Sequence, residues 1–208
     1  MGWPVALSAP CKMAWLPLAN NEPSHGLVVD ENDLIARAQA GDRPAFADLV
    51  ERYWERLYRW LYHLTHDPHT AEDLAQETFL KAFRGLGGFR PGSHFRAWLF
   101  RIAHNSFLNQ RRHHARQGQP VPELQTAPEH GPAEEAANRE TLQLVARAVG
   151  RLPSEYRAAF LLRVEEGLSF REIARVLNLT EETARWRVYK ARQKLLNVLA
   201  PQLDRSTP

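Results

Sequence analysis

The sequence predicts an all-α chain built as two small helical domains joined by a flexible linker. Three observations predict it. Apolar residues recur at the helical period through most of the 208 residues, strand signals are scarce, and a proline-rich stretch poor in large apolar residues divides the helical regions. The hydrophobic fraction of 44% with 25% charged residues is that of a folded chain and not of a disordered one.

Taken in order, residues 1–29 read as a tail outside the fold. Pro4, Pro10 and Pro17 interrupt its apolar residues, and no basic start precedes an apolar core, so it does not read as a signal peptide. Disorder and a true start at Met13 are two readings of this tail, and a docking segment is the third. Residues 30–40 (DENDLIARAQA) predict a short helix closed by Gly41-Asp42. Pro44 then suits a helix start, and the stripe Phe46, Leu49, Val50, Tyr53, Leu57, Trp60, Leu61, Leu64 runs until Asp67-Pro68 breaks it. A third helix is expected over 70–84 with Leu74, Thr78 and Phe83 inward, then a glycine-rich loop, then a fourth helix over 94–112 buried along Phe95, Leu99, Ile102, Ala103 and Ser106.

Residues 113–137 cannot bury enough surface to offset their ordering entropy, which makes them the linker. Beyond it, a helix over 141–149 is expected to face inward with Leu142, Val145, Ala146 and Val149, and the next follows Pro153 and ends at Gly167. Ser169 and Glu172 have capping-box spacing, Asn178 suits a left-handed turn, and Thr180 can cap the last helix with Glu181 and Glu182 at its positive end. That is a helix-turn-helix. The last helix buries Ala184, Val188, Ala191 and Leu195, which leaves Arg185, Trp186, Arg187, Tyr189, Lys190, Arg192 and Lys194 outward. A basic face interleaved with aromatics suits a DNA groove, and the plainer reading is a solvated helix closing a bundle. Residues 201–208 are a C-terminal tail.

Two further faces invite a function. Arg101, Asn105, Asn109 and Arg112 share one side of the fourth helix, beside a loop bearing Phe89, Arg90, His94 and Phe95, with Trp98 just after. Guanidinium groups hold phosphates, and amides and rings read or stack an unpaired base; without that platform the aromatics are ordinary core. On the third helix Glu72, Asp73, Gln76 and Glu77 lie together with Leu80 one turn on. As a metal site this cluster lacks a histidine or aspartate partner, so a solvated face or a protein-docking face remains. His63, His66 and His69 cannot share one helix face across Asp67-Pro68, so no metal site is expected there. A single cysteine, Cys11, excludes an internal disulfide, and no apolar run reaches the roughly 18 residues of a membrane span. The net charge of +3 argues only weakly for nucleic acid.

At these residues the chain resembles the extracytoplasmic-function (ECF) sigma factors of the bacterial sigma-70 family. The stretch DPHTAEDLAQETFLKAFRGLGGFRPGSHFRAWLFRIAHNSFLNQRR is similar to their promoter-melting domain, and RLPSEYRAAFLLRVEEGLSFREIARVLNLTEETARWRVYKARQKL to their helix-turn-helix domain. The resemblance implies region 2 over 30–112, region 4 over 138–200 and a role in starting transcription with core RNA polymerase, the β′ clamp helices and β flap being the contacts. It implies that Asp73, Gln76 and Glu77 dock on the clamp helices. Phe89, Arg90, His94, Trp98, Arg101, Asn105, Asn109 and Arg112 then serve the −10 strand, with the 89–94 loop capturing a flipped base. Arg185, Trp186, Arg187, Tyr189 and Lys190 serve the −35 duplex. It also implies an anti-sigma factor as partner, no cofactor, no catalytic residue, no membrane insertion and a cytoplasmic location. A free-standing helix-turn-helix regulator is the rival reading. The chain departs from the family at Trp186, where a small polar residue is usual, and at Glu182, where glycine is common. A tryptophan cannot make a small hydroxyl's contact and offers a ring to a sugar or thymine methyl instead.

Overall fold

The computed structural model describes residues 30–90, 92–116 and 144–203; the expectations for the N-terminal tail and most of the linker lie outside them. Among the described residues every regular element is helical, and no helix is long and apolar enough to cross a membrane. The first lobe comprises α1 (Glu31–Gln39), α2 (Arg43–Thr65), α3 (Pro68–Gly85), a 3-10 turn (Leu86–Gly88) and α4 (Phe95–Arg116). The second comprises α5 (residues 144–150), α6 (Ser154–Val164), α7 (Phe170–Leu177) and α8 (Glu181–Leu203).

Local chemistry sets the boundaries. Asp42 accepts from the Ala45 N–H at 3.2 Å and Asp67 from the Thr70 N–H at 2.8 Å, each capping a helix that has proline in its first turn. α2 ends where His66 turns left-handed at φ 56°, ahead of the residue that Pro68 holds out of the helical region. α4 continues one turn past the expected Arg112, and histidines and arginine in its last turn suit the negative end of the dipole.

The α2 stripe is the core of the first lobe. Phe46, Leu49, Leu57, Trp60 and Leu61 are all at most 1% exposed, and α1, α3 and α4 pack around them. The Trp60 and Phe100 rings meet edge-on at 5.4 Å. Phe83, expected inward, is 43% exposed. Its ring meets the core edge-on at Phe46, 5.0 Å away, while Phe79 and Ala82 fill the inner face of α3. In α5, Val149 is buried as expected and Ala146 half-buried, but Val145, expected inward, is 39% exposed, and Ala148 is buried beside Val149.

The two lobes do not stand apart: α6 packs on α2, and α7 lies against both α4 and α8. Glu166, 1% exposed, is the centre of this seam. It accepts from Arg56 Nε at 3.3 Å, Arg56 Nη2 lies 3.1 Å from its other oxygen as an ion pair without hydrogen-bond geometry, and its carbonyl accepts from Arg96. Arg59 approaches Glu165 at 3.3 Å, and Trp60 Nε1 points at the Ala158 carbonyl at 3.5 Å, a long contact. Burial raises the Glu165 carboxyl's pKa against the opposing pull of Arg59.

Candidate nucleic-acid interface

The helix-turn-helix forms as its caps dictate. Ser169 Oγ accepts from the Glu172 N–H at 3.3 Å and the Glu172 carboxylate from the Ser169 N–H at 2.7 Å. Asn178 makes the turn at φ 54°, and Thr180 Oγ1 accepts from the Thr183 N–H at 3.1 Å. Ala184, Val188, Ala191 and Leu195 are buried, so α8 turns its basic side outward. Arg185, Tyr189 and Lys190 are exposed. Trp186 is 47% exposed and meets Tyr156 of α6 edge-on at 5.7 Å, with the Lys190 ammonium 5.8 Å from its ring centre. Its ring is therefore braced from two sides. Arg185 lies over Phe170 at 5.2 Å. Burial lowers the proton affinity of His104 on α4, and half-buried Arg187 lowers it further.

On α4, Arg101, Asn105, Asn109 and Arg112 are all exposed. Arg112 donates to Asn109 Oδ1 at 2.8 Å, which fixes that amide's oxygen towards the guanidinium. The preceding loop is anchored from α1, where Gln39 donates to the carbonyls of Leu86 at 2.9 Å and Phe89 at 2.7 Å. Phe89 is 6% exposed and packs against Phe95 and Trp98 at 5.6 and 5.1 Å. Phe89 and Phe95 are thus core rings, and the free platform reduces to half-buried Trp98 with exposed Arg90 and His94. Gly92, at φ +79°, turns the loop where a side chain would be strained.

A cavity of about 340 Å³ opens between this loop and α7, walled by Phe89, Arg90, Trp98 and Arg101 on one side and by Glu172 and Arg175 on the other. His94 Nδ1 stands 3.3 Å from a Glu172 oxygen, and both residues line the cavity. Burial opposes ionisation of Glu172, but the Ser169 bonds, with His94 and Arg96 nearby, hold its pKa below the usual value. On α3, Asp73 and Glu77 are exposed and Gln76 is half-exposed, its amide 3.4 Å from Glu72. Glu77 pairs with Lys81 at 2.6 Å, and Leu80 and Phe83, 38% and 43% exposed, place apolar surface beside the acids.

Sequence reasoning missed the residues of the seam: Arg56, Arg59, Arg96, Glu165 and Glu166. One signal was present. Two adjacent glutamates at a helix C-terminus oppose the macrodipole, and such a placement needs cations from elsewhere.

Comparison with known proteins agrees with this geometry. The chain matches the Sigma-70 region 2 family over residues 49–117 and the Sigma-70 region 4 family over 142–195. It is 34% identical to the RNA polymerase sigma-H factor of Pseudomonas aeruginosa, over 83% of this chain and 95% of that one. It is 36% identical to the ECF RNA polymerase sigma factor SigE of Mycolicibacterium smegmatis, over 87% of this chain and 70% of that one. Among solved structures it is similar to the sigma factor RpoE bound to the anti-sigma factor NepR from Bartonella quintana, with a TM-score of 0.64, 27% identity, and coverage of 74% and 96% of the two chains. It is also similar to CnrH in complex with the cytosolic domain of CnrY, with a TM-score of 0.60, 29% identity, and coverage of 85% and 99%. An all-helical chain carrying both regions in order, with a helix-turn-helix in the second, belongs to the ECF branch of the sigma-70 family of RNA polymerase sigma factors.

Proposed function

We propose that the residues assigned above divide the work of promoter opening between the two lobes. α8 lies in the major groove of the −35 element and contacts it through Arg185, Trp186, Arg187, Tyr189 and Lys190. The 89–94 loop holds a flipped −10 base in a pocket walled by Phe89 and Trp98. Arg101, Asn105, Asn109 and Arg112 track the same unpaired strand. Extruding a base costs a few kcal/mol, which stacking worth about 1–3 kcal/mol per base offsets. Asp73, Gln76 and Glu77, flanked by Leu80, dock on the polymerase β′ clamp helices, and region 4 meets the β flap. The polymerase supplies the chemistry, so this chain contributes no catalytic group; its place of action is the cytoplasm, and an anti-sigma factor covers the same faces when it is held inactive. The carrying observation is the exposed row of Arg101, Asn105, Asn109 and Arg112 on α4, beside half-buried Trp98 and exposed Arg90 and His94.

Geometry adds a requirement. The −35 and −10 elements lie about 25 base pairs apart, or about 85 Å at ~3.4 Å per step. In the packed form the 89–94 loop is within 3.3 Å of α7, so one chain cannot touch both elements until the seam parts. Residues 117–143 can span at most about 95 Å at ~3.3–3.6 Å each, enough for that separation. Transcription in vitro with core polymerase and a promoter library tests the reading. We expect selective transcripts that share two spaced elements, lost on Asp73→Lys/Glu77→Lys. Binding to palindromic duplexes as a dimer, without polymerase, is the outcome that the free-standing regulator predicts and this reading does not.

A further inference from the structure

A second cavity lies at the other end of the seam, where the C-terminus of α2 and the C-terminal half of α4 face the start of α6. Its volume is about 110 Å³, with Leu64 and Phe107 as an apolar floor. The polar side chains around it include Arg111, His114, His66, Arg157 and Ser154, and among the described residues that line it none is acidic.

Arg157 is the anomaly. It is only 5% exposed and donates one Nη to the Gly150 carbonyl, while its Nε has no partner among the described residues. A buried guanidinium is costly unless an anion faces it. Burial and then Arg111 act on its charge, and both push its pKa down, to about 10. His66, 7% exposed, repeats the pattern: its Nε2 is unpartnered, and burial followed by Arg157 holds its pKa down to about 4. Ser154 is the first residue of α6, an 11-residue helix whose preceding Pro153 provides no side-chain cap, and Arg111 Nη1 reaches Ser154 Oγ at 3.2 Å. An uncapped helix start, a buried arginine and an exposed arginine therefore converge on one small space.

We propose that this cavity binds a small oxyanion of the phosphate class, held by Arg157, Arg111 and the N-terminus of α6. Its space admits a compact anion and not a nucleotide. Because Arg111 and His66 belong to the first lobe and Ser154 and Arg157 to the second, the anion bridges the seam and favours the packed form over the parted one.

Calorimetric titration of the full chain with inorganic phosphate, against sodium chloride at matched ionic strength, tests this. We expect saturable one-to-one binding that weakens at least ten-fold in Arg111→Gln, at an exposed position, and in Arg157→Lys, which keeps charge but loses the fork. A bulkier phosphomonoester should bind more weakly than phosphate. Hydrogen exchange should slow on phosphate addition at both 64–66 and 154–157. Absence of saturable binding overturns the proposal, as does equal affinity in Arg111→Gln, which would mean an adventitious ion only; slowing confined to one lobe overturns the bridging role.

Discussion

Replacing Arg185, Arg187 and Lys190 together with alanine is expected to weaken promoter binding by the polymerase complex about 10²–10³-fold at 0.1 M salt. Each phosphate neutralised contributes about 0.9 to the slope of log affinity against log salt, or roughly eight-fold at 0.1 M. With Arg192 and Lys194, α8 presents about five such cations, so the contribution of this lobe has a slope of about −4 to −5. The triple variant should lower it to about −2. Arg185 and Lys190 are exposed, Arg187 is half-buried and none belongs to the core, so the helical circular dichroism should not change. Trp186→Ser is expected to behave differently. It removes a braced ring without a charge, so it should alter sequence preference and leave the salt slope in place. Fluorescence anisotropy across a salt series on holoenzyme separates the two. An unchanged slope in the triple variant would place the duplex contacts elsewhere.

Stability should fall steeply as pH drops from about 6.5 to about 4. His63, His66 and His104 are each held down to about 4, chiefly by burial; Arg157 adds to the effect at His63 and His66, and Arg187 at His104. In this window the unfolded chain binds protons that the folded chain refuses, so protonation favours unfolding. The stabilisation is complete above the unfolded value near 6.5, is lost as pH falls, and the slope ends where the folded imidazoles protonate. Each histidine contributes up to about 1.4 kcal/mol per pH unit, and three together up to about 4. Urea unfolding at half-unit pH steps measures this. His104→Gln should remove about a third of the slope, and a slope that is unaltered in that variant would show that His104 titrates freely in the fold.

Much of the fold was legible because its determinants are local. Ser169 and Thr180 cap helices through their own side chains, Asn178 turns left-handed for reasons confined to itself, and the α2 stripe has one period throughout; Asp42 and Asp67, read only as closing and breaking the helices before them, also cap the helices after them. The exposed row of Arg101, Asn105, Asn109 and Arg112 was legible for the same reason: once an inward stripe is set, its position follows from helix geometry. What escaped depends on contacts distant in the chain. Phe89 could be an exposed stacking ring or a core ring, and only packing against Phe95 and Trp98, with Gln39 bonding the loop, decides for the core. Phe83 was displaced outward because Phe79 and Ala82 occupy the inner face of α3. The seam was least legible. Arg56 meets Glu166 across 110 positions, and a single sequence carries no mark of which cation a buried acid will find.

That seam decides how the two proposed DNA-binding faces are used, and separation between the lobes measures it directly. With Cys11 replaced by serine and dyes placed at exposed Asp48 and Arg151, energy transfer should be high in the free chain. It should fall as the lobes move tens of ångströms apart on polymerase-bound promoter DNA. A free chain whose lobes already lie far apart, or a promoter complex in which the transfer is undiminished, would contradict the account.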